Sequence, residues 1–309
     1  MLSRIADSLY WVARYVERAD GILRMLKVNY STSLDQPSSG FSWKPALKTF
    51  TSLSDEEIEA MEINSQDVLH YMIDDKTNDN SVVNIITKSR ENARGIQDNL
   101  TLEVWEAINE FYHNVNNRQH QKIDDPLFGI TDLIGDCINL YGALEITMMR
   151  GEGWSYINLG KFLERSLQTA DILESKFSEL SSKESKPDAI PYWRHLLLSI
   201  SGYEIYLRTY RTGVQTQNII DLMMHNTSFP RSVLYCLNHV YQTVGSLREA
   251  VQPDAHKKID YKTGKLKSKV QYADIETINK IGLPQFLLDI KRDLYSICDD
   301  VQNLNFPQY

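Results

Sequence analysis

The sequence predicts an all-α protein, a multi-helix bundle, and three observations lead to this fold class. Glycine and proline, which interrupt helices, are scarce, with 14 and 9 among 309 residues. Several long segments repeat apolar residues every three or four positions, the spacing that places them on one face of a helix. No segment shows the strict apolar and polar alternation of a half-buried strand.

The first helix is the most clearly marked element. Its apolar residues are spaced alternately three and four apart and form one continuous stripe: Leu2, Ile5, Leu9, Val12, Val16, Ala19, Leu23 and Leu26. A loop packed by its own aromatic side chains is expected at 31–45. Ser54, followed three residues later by Glu57, has the capping-box pattern that begins a short helix.

Further helices are predicted along the rest of the chain, separated by polar or glycine-containing connectors. The expected helices are 82–114, 127–150, 154–180, 192–212, 214–226, 231–251, 271–282 and 284–303. The connectors are expected at 74–81, 116–126, 151–153 and 181–191, and the lysine-rich segment 252–269 is expected to be a polar excursion without a helix.

Charge, cysteine content and hydropathy exclude several classes of protein. The net charge of −8 disfavours binding to nucleic acid. The three cysteines have neither zinc-ligand spacing nor the pattern of an extracellular disulfide framework. The sequence shows no leader-like segment and no apolar run long enough to span a membrane. A soluble, cytoplasmic protein without a membrane partner is therefore expected.

The helix at 154–180 repeats the first helix. Leu9 lies over Tyr156 at an offset of 147 residues, a whole number of heptads, so that the two apolar stripes keep the same phase. The superposed charged segments are Arg14-Tyr15-Val16-Glu17-Arg18 and Lys161-Phe162-Leu163-Glu164-Arg165. The sequence therefore predicts one domain over 1–309, built from two related halves at about 1–150 and 151–309, with a duplicated Glu-Arg-bearing helix.

The charged residues of the first helix share a face. Arg14, Glu17 and Arg18 are spaced i, i+3 and i+4, and they point away from the apolar stripe. Tyr10 and Trp11 flank them, which indicates that this face is turned into a second interior. Because burial of an unpaired guanidinium is prohibitively unfavourable, each arginine there needs a carboxylate or an anionic ligand.

Two more segments have the same chemistry. Arg90, Glu91 and Arg94 form a third basic and acidic cluster, and Arg231 follows Pro230 at a predicted helix start, in the first turn, where backbone N–H groups favour anions. The candidate ligand-binding residues are therefore the cations, which would face an anion, and the glutamates, which would orient them: Arg14, Glu17, Arg18, Arg90, Glu91, Arg94, Lys161, Glu164, Arg165 and Arg231.

These residues carry a resemblance to the Alpha-E family, a bacterial all-helical domain named for its recurring Glu-Arg motif. Residues 1–11 and 14–19 are similar to the start of the family, and 90–94, 159–165 and 229–233 match its later motifs in order. The resemblance covers nearly the whole chain. Lys161 departs from the arginine that is more usual there, and a lysine cannot form the bidentate fork of arginine.

The resemblance, and not the spacing, implies a partner. Alpha-E proteins are similar to chains found beside or fused to circularly permuted ATP-grasp proteins, in systems that resemble peptide or amide-bond ligation modules. This chain would then be a non-catalytic accessory subunit whose interior Arg/Glu cluster binds an anionic group of a partner, a peptide or a metabolite. Two alternatives stay open: an amide-bond transferase or hydrolase with Glu17 or Glu164 as general base, and a purely structural helical scaffold.

Neither a cofactor nor a metal is expected. A di-iron bundle needs two Glu-x-x-His motifs and two further glutamates. Only Glu110-Phe111-Tyr112-His113 fits this motif, and Asp67 with His70 is a weaker match. The chain also lacks a Walker lysine loop, so no ATP site is predicted.

Overall fold

A computed structural model describes residues 1–35, 42–117, 125–182 and 189–304. These ranges contain fifteen α-helices, one single-turn 3-10 helix and no strand, which confirms the all-α class. In chain order the helices are α1 (Ser3–Asp35), α2 (Lys44–Phe50), α3 (Asp55–Met61), α4 (Ser65–Ile73), α5 (Val82–Arg94), a 3-10 turn (Gln97–Asn99), α6 (Leu102–Asn117), α7 (Pro126–Thr147), α8 (Glu152–Ser182), α9 (Ala189–Ser199), α10 (Tyr203–Tyr210), α11 (Thr216–Met224), α12 (Val233–Ser246), α13 (Pro253–Gln271), α14 (Ile275–Ile281) and α15 (Leu283–Asn303).

The chain divides into two compact units. The first unit comprises Met1–Arg14, Met149–Trp193 and Gly202–Tyr309, and the second comprises Tyr15–Met148 and Arg194–Ser201. The helices α1 and α9 contribute residues to both. The single domain with two related halves, and the duplication of the Glu-Arg helix, stay predictions.

Local signals place several helix ends where the sequence predicts them. Ser54 caps α3 with its side chain, which accepts a hydrogen bond from the backbone N–H of Glu57, and the Glu57 carboxylate accepts one from the N–H of Ser54. This reciprocal arrangement satisfies two amides that the first turn leaves without helical partners. The capping box predicted there is confirmed.

The long helix expected at 82–114 is two helices. The first, α5, ends at Arg94, and α6 begins at Leu102 after the 3-10 turn. Gly95 and the polar run Gln97-Asp98-Asn99 explain the break, because glycine, aspartate and asparagine favour helix ends and turns over helix interiors. The segment keeps apolar residues at helical spacing, which is why periodicity alone missed the interruption.

The polar excursion expected at 252–269 is instead the nineteen-residue helix α13. Pro253 occupies its first turn, where the missing N–H is not needed. The buried face repeats every three or four residues but mixes apolar with polar side chains: His256, Ile259, Thr263, Leu266 and Val270. Two of its lysines, Lys258 and Lys262, bind the carboxylate of Asp300 on α15 at 2.7 and 2.5 Å.

Two other boundaries differ from expectation. The loop expected at 31–45 is partly helical, because α1 continues to Asp35 and α2 begins at Lys44, and 36–41 lie outside the described residues. The helix expected at 192–212 is interrupted between α9 and α10, where Ser201 adopts a left-handed conformation with φ of 54°. That conformation cannot continue a right-handed helix.

The N-terminal part of α1 and the start of α8 cross closely in the first unit. The N-terminal ammonium of Met1 lies 2.7 Å from the Glu152 carboxylate, and the backbone of Tyr10 touches Gly160. Met1 contacts Glu152 and Tyr10 contacts Gly160, so both helices run in the same direction where they cross. Gly160 permits the approach, because a Cβ there would lie 2.2 Å from the carbonyl oxygen of Tyr10.

Within the described residues, α7 is the one helix whose length and apolar composition would allow it to cross a membrane. Its most apolar window is 39% buried within the protein. The buried part includes Ile130, Leu133, Cys137 and Leu140, which is the pattern of a helix that packs on its own protein. One such helix is weak evidence for a membrane span.

Gly160→Ala tests the close crossing of α1 and α8. The added carbon forces the two backbones apart, and we expect the free energy of unfolding to fall by about 2–3 kcal/mol. Urea denaturation followed by circular dichroism measures this change. Gly245→Ala in α12 is the matched control, because nothing lies within 4 Å of its added carbon. The control should change stability by no more than about 1 kcal/mol, and equal losses in the two variants would contradict the crossing.

Candidate functional site

The centre of the first unit contains a buried ion pair between α1 and α8. The Nε and Nη2 atoms of Arg14 each lie 2.7 Å from Oε2 of Glu164. The two side chains are only 7% and 5% exposed. Arg14 Nη1 donates a third hydrogen bond, of 3.2 Å, to the hydroxyl oxygen of Tyr10. The guanidinium carbon also lies 5.0 Å from the ring centre of Trp11, within range of a cation–π interaction.

The electrostatics of this ion pair keep Arg14 charged. Burial acts to lower the pKa of Arg14, but the Glu164 carboxylate and the Tyr10 hydroxyl outweigh it, so that the pKa is raised. Cys298 of α15 lies against the same group, and burial raises the pKa of its thiol. The guanidinium is therefore a permanent cation, neutralised by a carboxylate and surrounded by aromatic and thiol groups.

A second ionic contact joins α8 to α15 in the same unit. The ammonium of Lys291 lies 3.1 Å from the Asp171 carboxylate and also contacts Glu174. The sequence reasoning did not single out these residues. Lys291 and Tyr295 are four residues apart, beside the buried apolar face of α15, but nothing in that spacing identifies α8 as the partner.

Glu17 is engaged in the second unit. Its carboxylate is fully buried, and Tyr141 of α7 donates a hydrogen bond of 2.5 Å to its Oε2 atom. One turn further along α1, Arg24 Nε lies 2.9 Å from both carboxylate oxygens of Asp20. Arg24 Nη1 also donates to Ser201 at 3.1 Å. Tyr141, like Lys291, is a partner that the sequence reasoning missed.

The Arg90, Glu91 and Arg94 cluster lies on the α5–α6 hairpin of the second unit. Arg90 Nε donates to Oδ1 of Asn109 at 2.9 Å, and its guanidinium lies 4.5 Å from the ring centre of Tyr112. Glu91 binds both arginines, at 3.0 and 3.5 Å. Arg90 thus anchors α5 on α6, whereas Arg94 is 64% exposed at the surface.

Two further candidates, Lys161 and Arg165, lie in the first unit. Arg165 Nη1 donates a 3.3 Å hydrogen bond to the carbonyl of Pro230, and the ammonium of Lys161 lies 4.5 Å from the ring centre of Phe162. Arg18, on the part of α1 in the second unit, is partly exposed. The structure therefore distributes the ten candidate residues over several local environments. Arg14 and Glu164 form an ion pair in which both side chains are buried.

The sequence predicts Arg231 in the first turn of a helix, but the structure places it before the helix begins. The helix α12 begins at Val233, and Ser232 is its cap, with a side chain that accepts from the N–H of Tyr235. Arg231 precedes the cap and is buried, and its carbonyl accepts a hydrogen bond from Thr169 at 2.8 Å. Serine outcompetes arginine for the cap because its hydroxyl reaches the free amides of the first turn.

No group of three or more histidine, cysteine, aspartate or glutamate side chains in the described ranges is placed to hold a metal ion. Three acidic side chains, Glu110, Asp132 and Asp136, interact electrostatically where α6 meets α7. There, burial raises the pKa of Asp136 to about 6, and the charges of Glu110 and Asp132 act in the same direction, against a hydrogen bond from Asn114. Asn114 Nδ2 lies 3.1 Å from both carboxylate oxygens of Asp136.

Glu164→Gln tests the buried ion pair. The variant leaves the Arg14 charge buried without a counter-charge, so the free energy of unfolding at pH 7 should fall by about 3–5 kcal/mol. Urea denaturation measures the loss. Glu152→Gln on the same helix is the control, because its carboxylate is 40% exposed, and it should lose about 1 kcal/mol or less. Similar losses in the two variants would show that the Arg14 site is solvated.

Asp136→Asn tests the acidic contact of α6 and α7. Because the pKa is raised above its ordinary value of 3.8 in the folded protein, the favourable contribution of protonated Asp136 is present below pH 3.8 and is lost as the pH rises through about 6. The asparagine variant should therefore be more stable than the parent at pH 7.5, by about 1 kcal/mol after allowance for solvent screening. Urea denaturation between pH 4 and 8 checks this, and an equal gain at both ends would contradict it.

Comparison with known proteins agrees with the fold and with the Glu-Arg pattern. Residues 1–306 match the Alpha-E family, described as a predicted alpha-helical domain with a conserved ER motif. Uncharacterised proteins of Mycobacterium bovis and of Mycobacterium tuberculosis strain CDC 1551 are each 21% identical over 262 residues, which cover 77% of this chain and 29% of the relative. A further one, from strain H37Rv, is 20% identical over the same shares.

The chain thus spans less than a third of the length of these curated relatives. No solved structure matches it. The family match covers nearly every residue, including both Glu-Arg pairs, at Glu17-Arg18 and Glu164-Arg165. The chain belongs to the Alpha-E family.

Proposed function

We propose that the protein is a non-catalytic accessory subunit that binds an ATP-grasp-type enzyme and contributes to peptide or amide-bond ligation in the cytoplasm. The partner follows from the resemblance described above. In this role the protein presents positively charged groups to an anionic part of the partner, of a peptide or of a metabolite. The buried ion pair of Arg14 and Glu164 holds the helices that carry those groups.

The observation that carries the non-catalytic assignment is the state of the two candidate base residues. A general base must reach a substrate proton and must have a pKa near the working pH. Glu164 is held by two donors of the Arg14 guanidinium, and Glu17 accepts a hydrogen bond from the Tyr141 hydroxyl inside the protein. A carboxylate paired with a guanidinium is stabilised as the anion, which makes it a poor proton acceptor. This arrangement favours binding or architecture over catalysis.

The length of the relatives supports a role alongside other domains. The aligned region makes up 29% of the mycobacterial proteins, so in those chains the Alpha-E domain is covalently joined to a much longer remainder. The proposed association with an enzyme likewise places this domain beside other protein domains.

Co-expression of this chain with a circularly permuted ATP-grasp protein tests the proposal. We expect the two chains to co-elute in size-exclusion chromatography, and we expect the rate of ATP-dependent amide formation to change when this chain is added. Glu17→Gln, which keeps an oxygen acceptor for Tyr141, should bind the partner and give the parental rate.

Three other results would each point elsewhere. Failure to associate, together with an unchanged ligation rate, would exclude the accessory role. A Glu17→Gln variant that binds the partner but yields no product would support the transferase or hydrolase alternative. Association without any effect on the rate would support a structural scaffold.

A further inference from the structure

The helix α7 has two largely apolar faces on opposite sides. The first is buried within the second unit and repeats every three or four residues: Ile130, Leu133, Cys137, Leu140 and Leu144. The second, which we call the outer face, has nearly the same spacing and consists of Phe128, Thr131, Gly135, Ile138, Gly142 and Ile146. Apolar residues on both sides are typical of a helix that is covered on both sides.

In the part of the chain that the structure describes, the outer face is exposed. Phe128, Ile138 and Ile146 are 63%, 56% and 85% exposed. One exposed apolar side chain is ordinary on a protein surface, but several along one helix face form a patch of the kind that marks an interaction site. The outer face therefore offers an apolar row to another molecule.

Two glycines leave room in the middle of the outer face. Among the described residues, nothing lies within 4 Å of a Cβ placed on Gly135 or on Gly142. Glycine is less favourable than alanine in a helix interior, but it lets another backbone approach closely. Gly160 does so on α8, where it admits the backbone of Tyr10. Gly135 and Gly142 offer the same close approach to a helix that comes from outside.

Acidic side chains border the outer face where α7 meets α6. Asp132 and Glu110 are exposed, and Asp136 is partly buried against Asn114 of α6. The charges of Glu110 and Asp132 both raise the pKa of Asp136, so the carboxylates repel one another. The helices α6 and α7 contain three acidic residues each and neither lysine nor arginine. A molecule that brings cations to this border relieves the repulsion.

We propose that the outer face binds an α-helix of a partner protein, an amphipathic helix that carries lysine or arginine beside its apolar stripe. The apolar side chains of that helix pack on Phe128, Ile138 and Ile146, and its cations meet the acidic border. A second copy of this chain fits poorly, because a two-fold contact brings the same carboxylates together. A membrane also fits poorly, since Asp132 and Asp136 lie well inside α7 and carboxylates are unfavourable in a bilayer.

The outer face adds a binding surface to the proposed function and rests on that function only in requiring a partner protein. Two synthetic peptides of about 20 residues, long enough to cover about 30 Å of helix, test it on the isolated full chain. One repeats leucine and alanine every three or four positions with lysine beside them, and the other has glutamate in place of each lysine. By fluorescence anisotropy, we expect saturable binding of the lysine peptide and about tenfold weaker binding of the glutamate peptide.

Gly135→Leu should weaken binding of the lysine peptide by about tenfold or more, because the new side chain fills the space that the peptide backbone needs. Its melting temperature should not fall, since leucine favours a helix more than glycine does. Gly245→Leu in α12 is the matched control, because the space around Gly245 is equally open, and it should bind as the parent does. Ile146→Lys should also lose about tenfold, whereas Ile63→Lys, at an isoleucine that is likewise 85% exposed, should not.

Several results would overturn the proposal. These are the absence of saturable binding, equal affinity for the two peptides, and equal affinity of the parent and Gly135→Leu for the lysine peptide. Dimerisation of the parent that Gly135→Leu abolishes would assign the outer face to a second copy, and binding to phosphatidylglycerol vesicles that the same variant abolishes would assign it to a membrane. Because neither peptide derives from an ATP-grasp protein, failure of this test and failure of the co-elution experiment are separate results.

Discussion

The first unit depends on one interaction, the buried ion pair between Arg14 and Glu164. Two charges removed from water are favourable only when their geometry is close and their hydrogen bonds are made. Both conditions hold here, because two guanidinium nitrogens lie 2.7 Å from the carboxylate and Tyr10 accepts a third hydrogen bond. Gly160, one turn before Glu164, makes this geometry available by letting the backbones of α1 and α8 touch. The ion pair then fixes the register in which the two helices run.

The fold was predictable wherever a helix has a nearly continuous apolar stripe. The helices α1 and α8 have such stripes, with Ser166 at one position in that of α8, and both were predicted. The helix α13 was not, because His256 and Thr263 occupy buried positions in its stripe and its lysines resemble a loop composition. At Gly95 the sequence predicts a continuous helix where the structure has a break. Apolar residues keep their helical spacing across this break, although backbone preferences end the helix there. Periodicity reports which residues face the core, but it does not report where the backbone leaves the helix.

The candidate residues were predictable one by one, and their partners were not. Charge at helical spacing selected Arg14 and Glu164, which the structure joins across 150 residues of sequence. Tyr141 and Lys291 have no local signal that ties them to their partners, since such contacts follow from packing of helices distant in the chain. Arg231 was assigned to the wrong backbone position because the neighbouring serine is the better cap. Residue type therefore identifies charged groups that need partners, while the packing decides which group each one meets.

The structure separates two uses of charge in one domain. Paired charges such as Arg14 with Glu164 are buried and hold helices in place, whereas other charged groups, such as Arg94, lie at the surface. A double-mutant cycle with Arg14→Met and Glu164→Gln, singly and together, measures the first of these uses most directly through urea denaturation. A coupling free energy of at least about 2 kcal/mol is predicted for the buried ion pair. A coupling below about 0.5 kcal/mol, the value typical of exposed ion pairs, would contradict it.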